Sequence, residues 1–142
     1  MSPLRPSPER DRPRVLLADD EASFRLLYGI WLSASGYDVL EAADGADALY
    51  AVAKHGLPDA AVLDVHMPRV DGLAVCRSLR ARSIRLPIVI VSSLDEVEEA
   101  SYVAGADVVL PKTAEREELC AALGAARALR RSVERARVSV VS

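Results

Sequence analysis

The sequence predicts an α/β domain in which five parallel strands form one sheet covered by helices on both faces, and three observations predict it. Five short runs rich in Val, Ile and Leu begin near Val15, Asp38, Ala60, Ile88 and Val108, and helix-period segments fill the intervals between them. The runs are almost wholly apolar rather than alternating, as strands buried on both faces are. A chain of 142 residues, 51% of them hydrophobic, also suits one domain with enough apolar material to fill its core.

The elements follow in order. After the first run, VLLA, a helix is expected over residues 21–34, where Phe24, Leu27, Trp31 and Ala34 recur at three- and four-residue intervals and so share a face. The second strand leads to Asp44, which opens a helix carrying Ala48, Leu49 and Val52; Gly56 stops it and Pro58 stands just beyond. The third strand, AAVL, reaches the turn Asp71-Gly72 and a helix with Leu73, Cys76 and Leu79. The fourth precedes a helix over residues 95–104 that carries Val97, Ala100 and Val103 and ends at Gly105. After the fifth, Thr113 is the expected N-cap of the last helix, whose early Glu115, Glu117 and Glu118 lie where the helix dipole favours negative charge. Beyond it Ala126, Leu129, Val133, Ala136 and Val140 form a short seam flanked by Arg127, Arg130, Arg131, Arg135 and Arg137. Two heptads are too few for a coiled coil, so a frayed, solvated extension is preferred to a dimer seam or a patch for an anionic partner. The expected organisation is a disordered arm over 1–13, a domain over 14–128, and a helical extension or tail over 129–142 with no output domain.

Charge is unevenly spread. Residues 1–14 carry four Arg against two acids and the last 30 residues six Arg against four, which leaves eight basic and fifteen acidic groups in residues 15–112. That middle is ill suited to grip nucleic acid, whose binding rests on Lys and Arg facing phosphates, and well suited to a cation. Cys76 and Cys120 have no neighbouring metal-ligand residues and read as packing in a cytoplasmic chain. No apolar run approaches the roughly 20 residues of a membrane helix. The first 14 residues hold no apolar stretch of signal-peptide type.

Right-handed crossovers send every strand the same way, so all five carboxyl ends share one edge. In the flavodoxin-like order 2-1-3-4-5, ligands bind where the order reverses, between strands 1 and 3. Polar residues stand at just those ends: Asp19 and Asp20 after the first run, Asp64 after the third, Ser92 after the fourth and Lys112 after the fifth. Magnesium, or manganese in its place, takes oxygen ligands and is typically held by one or two carboxylates plus a phosphate; Asp20 and Asp64 are candidate direct ligands, with Asp19 acting through water. Asp64 is the candidate nucleophile, since a carboxylate can accept a phosphoryl group without a general base. The cation and Lys112 would neutralise charge in the loose transition state, and the Ser92 hydroxyl can donate to a phosphoryl oxygen. Taken singly, Asp20 is as readily a helix cap, and Ser92 and Lys112 surface residues; together at strand ends they make a site. His55 reads as a helix-end residue and the His66 side chain as a solvent-edge group.

The fragments LLADDE, LDVHMPRVDG, IVSS, GAD and LPK, in that order and at these separations, resemble the receiver domain of two-component response regulators of the chemotaxis-regulator kind, over about residues 14–127. GYDVLEAADGADAL is similar to that family's second strand and helix. The resemblance implies that Asp64 takes a phosphoryl group from a sensor histidine kinase or a histidine phosphotransfer protein, and that Asp19 and Asp20 hold magnesium. It further implies that Ser92 and Lys112 contact the phosphoryl group, and that the main-chain carbonyl of His66 is a metal ligand. The chain differs from the family pattern where Thr113, not proline, follows Lys112, where Val109 replaces an aromatic residue, and in a short interval from Ser92 to Lys112. These differences leave the phosphorylation chemistry intact and bear on the output step, for which Ser92 and Val109 are the switch positions. The implied function is a stand-alone phosphorylation switch with a downstream protein partner, catalysing only its own phosphorylation and slow dephosphorylation, with a homodimer as a further partner state and no membrane insertion. The alternatives are the regulatory half of a DNA-binding response regulator and a small magnesium-dependent phosphatase. The last is disfavoured because His66 stands where dehalogenase-type phosphatases want a second aspartate.

Overall fold

The computed structural model describes residues 12–93 and 97–141, the last two in backbone only. Five strands, β1 (Arg14–Ala18), β2 (Asp38–Ala42), β3 (Ala60–Asp64), β4 (Ile88–Ser92) and β5 (Val108–Pro111), alternate with helices α1 (Ala22–Ala34), α2 (Gly45–His55), α3 (Gly72–Arg82), α4 (Glu98–Ala104) and α5 (Arg116–Val141). All strand pairs are parallel, and the order is β2-β1-β3-β4-β5, as expected from the sequence.

The apolar runs serve two cores at once, because successive side chains of a strand point to opposite faces. Leu16, Leu63, Ile88 and Ile90 face one side, where α2, α3 and α4 bring Val52, Cys76, Leu79 and Ala104. Val15, Leu17, Val62, Val89 and Val91 face the other, where α1 and α5 bring Tyr28, Leu32, Leu119, Leu123 and Ala126. Cys76 is a packing residue whose thiol burial pushes up to about 11.

Helix boundaries follow their caps. Asp44 accepts from the Asp47 amide and Asp71 from the Ala74 amide, so the residues expected to open these two helices are their N-caps. The expected cap of the last helix shifts: α5 begins at Arg116, Glu115 precedes it, and the Glu118 carboxylate reaches back to accept from the Glu115 amide at 3.1 Å, half of a capping box. Thr113 lies in the preceding turn.

Two expected helix faces are corrected. On α1 the buried residues are Tyr28 and Leu32, whereas Leu27 is 42% exposed and Ala34 is exposed. The 24-27-31-34 and 24-28-31 series are both helix-spaced, and the larger aromatic series wins the groove beside α5. On α4 the buried positions are Val97, Ser101 and Ala104, with Val103 82% exposed, because the Ser101 hydroxyl donates to the Val97 carbonyl and is satisfied inside. The expected start of that helix at Asp95 lies outside the described residues.

The chain termini also differ from expectation. Of the arm expected over 1–13, residues 1–11 lie outside the described residues; at its end the Arg12 side chain donates to the carbonyls of Ser33, Gly36 and Tyr37 after α1, and the Pro13 carbonyl accepts from the Asp38 amide. At the other end α5 continues to Val141 and is anchored rather than frayed in its middle. Arg130 lies 2.8 Å from Asp107 and donates to the Ile84 carbonyl at 3.2 Å, and Arg85 pairs with Glu134 at 2.9 Å. Val140 of the expected seam has no described side chain.

Asp107 is the centre of this lower edge. Its carboxylate is fully buried and accepts from the Ile88 amide at 2.9 Å and from Arg80 at 3.0 Å, while Arg80 also donates to the carbonyls of Gly105, Leu86 and Ser83. The Nε of Arg130 meets Oδ1 of Asp107 in charge contact without hydrogen-bond alignment. Among the described residues no helix is long and apolar enough to cross a membrane.

Candidate functional site

The carboxyl edge of the sheet gathers the expected residues. Ala18 is in register with Leu63, Asp64 with Val91, and Ser92 with Pro111, so Asp19, Asp64, Ser92 and Lys112 stand side by side at the ends of β1, β3, β4 and β5. The Lys112 amide donates to the Ser92 carbonyl at 3.1 Å, which carries the β4–β5 ladder one residue past the strand.

Lys112 is the hub of the side-chain geometry. Its ammonium lies 2.8 Å from Glu21, 3.1 Å from Asp19 and 3.4 Å from Asp64. Only 8% of the Lys112 side chain and 4% of that of Asp64 are exposed, so the contacts with Asp19 and Asp64 are screened little by water, while the exposed Glu21 leaves its own contact open to solvent. Burial raises the proton affinity of the Asp64 carboxyl, as does the neighbouring Asp19; Lys112 pulls the other way and the outcome is about 6. Asp19 is raised by burial too, against the Glu21 amide and Lys112. Burial alone would lower Lys112, but the carboxylates of Glu21, Asp19 and Asp64 together raise it, so the ammonium stays charged.

Three carboxylates with one cation between them leave negative charge in excess, and the buried Asp64 carries the penalty. The oxygens of Asp19, Asp20 and Glu21 lie within 4.8 Å of one another, Asp20 and Glu21 open to solvent and Asp19 buried. This all-oxygen, acidic donor set fits a hard divalent cation such as magnesium or manganese. Asp64 reaches the cluster through Lys112 and belongs to the same field, with Asp20 also raising its proton affinity.

Two residues of the site escaped the sequence reading. Glu21 is the nearest partner of Lys112, and the Phe24 ring lies 4.5 Å beneath the ammonium in a cation–π contact. The signal was available: Glu21 directly follows the Asp pair, and Phe24 is one helical turn further on. Phe24 meets Tyr28 edge-on and Tyr28 stacks on Trp31, an aromatic series that runs down α1 from the site. Ser92 is buried at the edge, Val109 is half-buried against the core, and the His66 side chain is exposed.

Gly72 closes the site from behind. A Cβ there would lie 1.8 Å from the Asp64 carbonyl oxygen, and the Gly72 amide donates to Val65 at 2.8 Å. Gly72→Ala is expected to destabilise the fold by about 3 kcal/mol through this backbone overlap. Urea denaturation checks it, and an unchanged midpoint would mean that the segment moves aside freely.

A parallel sheet in this order, with an acidic cluster beside a buried aspartate and lysine at its carboxyl edge, defines a doubly wound α/β domain with a candidate cation site at its switch point. The model of the response regulator receiver domain matches residues 15–124, and the chain belongs to that family. A response regulator MprA of Mycobacterium sp. (strain KMS) is 46% identical over 114 residues, covering 79% of this chain and 49% of that protein. The chain thus spans about half the length of the curated relatives it matches. Among solved structures, the receiver domain of the Francisella response regulator 1452 is 30% identical with a TM-score of 0.72, covering 81% of this chain and 96% of that one. A CheY-like receiver from Methanospirillum hungatei, 20% identical with a TM-score of 0.77 over 85% of this chain and 98% of that one, shares the fold.

Proposed function

We propose that Asp64 is the phosphoacceptor of this receiver, taking a phosphoryl group from a phosphohistidine of a sensor kinase or phosphotransfer protein on the cytoplasmic side of the cell. The observation that carries the reading is the buried Asp64 carboxylate 3.4 Å from the Lys112 ammonium at the carboxyl edge of the sheet. Asp64 attacks phosphorus, the bond from phosphorus to the donor imidazole breaks, and the imidazole leaves with the electron pair. Lys112 contacts the phosphoryl oxygens and offsets their charge, and the Ser92 hydroxyl donates to one of them. Asp19, Asp20 and Asp64, with the main-chain carbonyl of His66, would hold the magnesium or manganese ion, which when bound draws charge from the same oxygens. Glu21 holds Lys112 before transfer and must give it up.

The receiver unit occupies residues 14–128, followed by the α5 extension. Phosphorylation biases a two-state equilibrium in α4, β5 and α5, because Ser92 and Lys112 tie the new group to the ends of β4 and β5. That shift governs binding of a downstream protein, and a second copy of the chain is one candidate. The second reading is that the chain is the regulatory domain of a DNA-binding response regulator; the shared segment is about half the length of the relatives it matches.

Intact mass after incubation with acetyl phosphate tests the assignment. One added phosphoryl group is expected with magnesium, and little or none when a chelator replaces the metal. No adduct in the wild type, or an undiminished one in chelator, would overturn the reading.

A further inference from the structure

The segment between β3 and α3 carries a backbone feature that this chemistry leaves unexplained. Arg69 has a φ of 69°, and among the described residues no other non-glycine residue has a positive φ. The Val70 amide donates to the Pro68 carbonyl at 2.8 Å, so residues 68–70 close a three-residue γ-turn of the strained, positive-φ kind. Glycine would occupy the central position without penalty. A side chain there persists only if the surroundings hold it.

The Arg69 side chain supplies the hold. Its Nε and Nη2 donate to Oδ2 of Asp44 at 2.9 and 2.6 Å, and Nη2 also donates to Asp47 at 3.1 Å. The other oxygen of Asp44 accepts from the Asp47 amide at 2.8 Å as the N-cap of α2. One buried carboxylate thus starts a helix with one oxygen and restrains the loop with the other. The main chain is confined at the same place: a Cβ on Gly45 would lie 1.8 Å from the Val70 carbonyl oxygen, just as one on Gly72 would meet Asp64. The loop is therefore gripped at its tip by α2 and at its base by α3, and Asp64 and His66 lie at its start.

We propose that Arg69 is a positioning residue: latched to Asp44, it holds the loop over residues 65–70 so that Asp64 and the adjoining main chain stay in the geometry that receives the cation and the phosphoryl group. The proposal rests on the reading of Asp64 as phosphoacceptor. Groups in such a site must sit within a few tenths of an ångström of their working positions, and a loop freed at its tip samples many more. A purely electrostatic role of the guanidinium is a different idea with different consequences. Asp44→Asn leaves the Arg69 charge in place and can still cap α2, but it weakens the latch.

The test uses the full chain and three readouts: magnesium affinity by calorimetry, the rate of adduct formation from acetyl phosphate, and the thermal midpoint. Arg69→Ala and Asp44→Asn are each expected to weaken magnesium binding by about tenfold, a magnitude usual for a residue that orients a ligand. Both are expected to slow adduct formation, and the double variant should be no worse than the weaker single one. Arg69→Lys should recover part of the loss. Arg69→Gly, which relieves the turn while removing the latch, should lose the same affinity with a thermal midpoint at or above that of Arg69→Ala. Unchanged magnesium affinity and adduct rate in Arg69→Ala, with only the thermal midpoint moved, would overturn the latch; so would additive losses in the double variant. A wild type that forms no adduct would instead bring down the phosphoacceptor reading and the latch with it.

Discussion

Asp64→Asn is expected to abolish the phosphoryl adduct and, in the same protein, to make the fold more stable. The first effect follows from removing the nucleophile, since an amide oxygen does not form the acyl phosphate. The second follows from the charge the fold carries there. Burial and Asp19 push the Asp64 carboxyl up to about 6, above its unfolded value near 3.8. Between those two values the folded protein binds more protons than the unfolded chain, so its stability falls as pH rises through that window. Above pH 6 the cost is fully present. A shift of this size corresponds to about 1–3 kcal/mol, allowing for water that reaches the edge. Asparagine keeps the shape and drops the charge. Urea unfolding in chelator should therefore show the variant more stable at pH 7.5 and equal to the wild type below pH 4. Adding magnesium should stabilise the wild type and narrow the gap, because a ligand that binds only the folded state shifts the balance toward it. Equal stability of the two proteins at pH 7.5 in chelator would remove this account of the site.

Asp107→Ala is expected to cause the largest loss of stability, about 3–5 kcal/mol, because it leaves charges in the interior without their counterpart. The carboxylate is fully buried, and the Arg80 and Arg130 side chains that meet it are only 16% exposed. The Ile88 amide would lose its acceptor as well. Arg80 keeps the carbonyls of Ser83, Leu86 and Gly105, whereas Arg130 keeps, among the described residues, the Ile84 carbonyl, so the far part of α5 should loosen first. Denaturant unfolding gives the magnitude, and amide exchange locates the loss along α5. A shift below about 1 kcal/mol would mean that water replaces the carboxylate there.

The sheet was legible because its strands are buried on both faces, and the runs at Val15, Ala60 and Ile88 therefore carry a signal that no polar alternation dilutes. The starts of α2 and α3 at Asp44 and Asp71 were legible too, though not the capping bonds that those carboxylates make. What the sequence withheld was rotational phase and long-range choice. The faces of α1 and α4 depended on which of two helix-spaced series met a groove, and Leu27 lost to Tyr28 and Leu32 by one step around the helix. The start of α5 depended on Glu118 turning back to its own first turn rather than on the hydroxyl of Thr113. In the site, Asp19, Asp64, Ser92 and Lys112 were readable as strand-end residues. Glu21 stands just before α1 and Phe24 in its first turn, and they become partners of Lys112 only when β5 is laid beside β4. The Arg69 to Asp44 contact joins residues 25 apart through two loops, and no local pattern announces it.

The direction of α5 has a spatial consequence. It starts beside Lys112 at the carboxyl rim and, at 26 residues, is about 39 Å long, so it crosses the whole sheet before Arg130 and Glu134 fasten it at the opposite rim. Its final turns thus point away from Asp64. A donor protein approaching the aspartates and any molecule grasping those turns would meet different poles of the domain, and neither would have to leave before the other arrived.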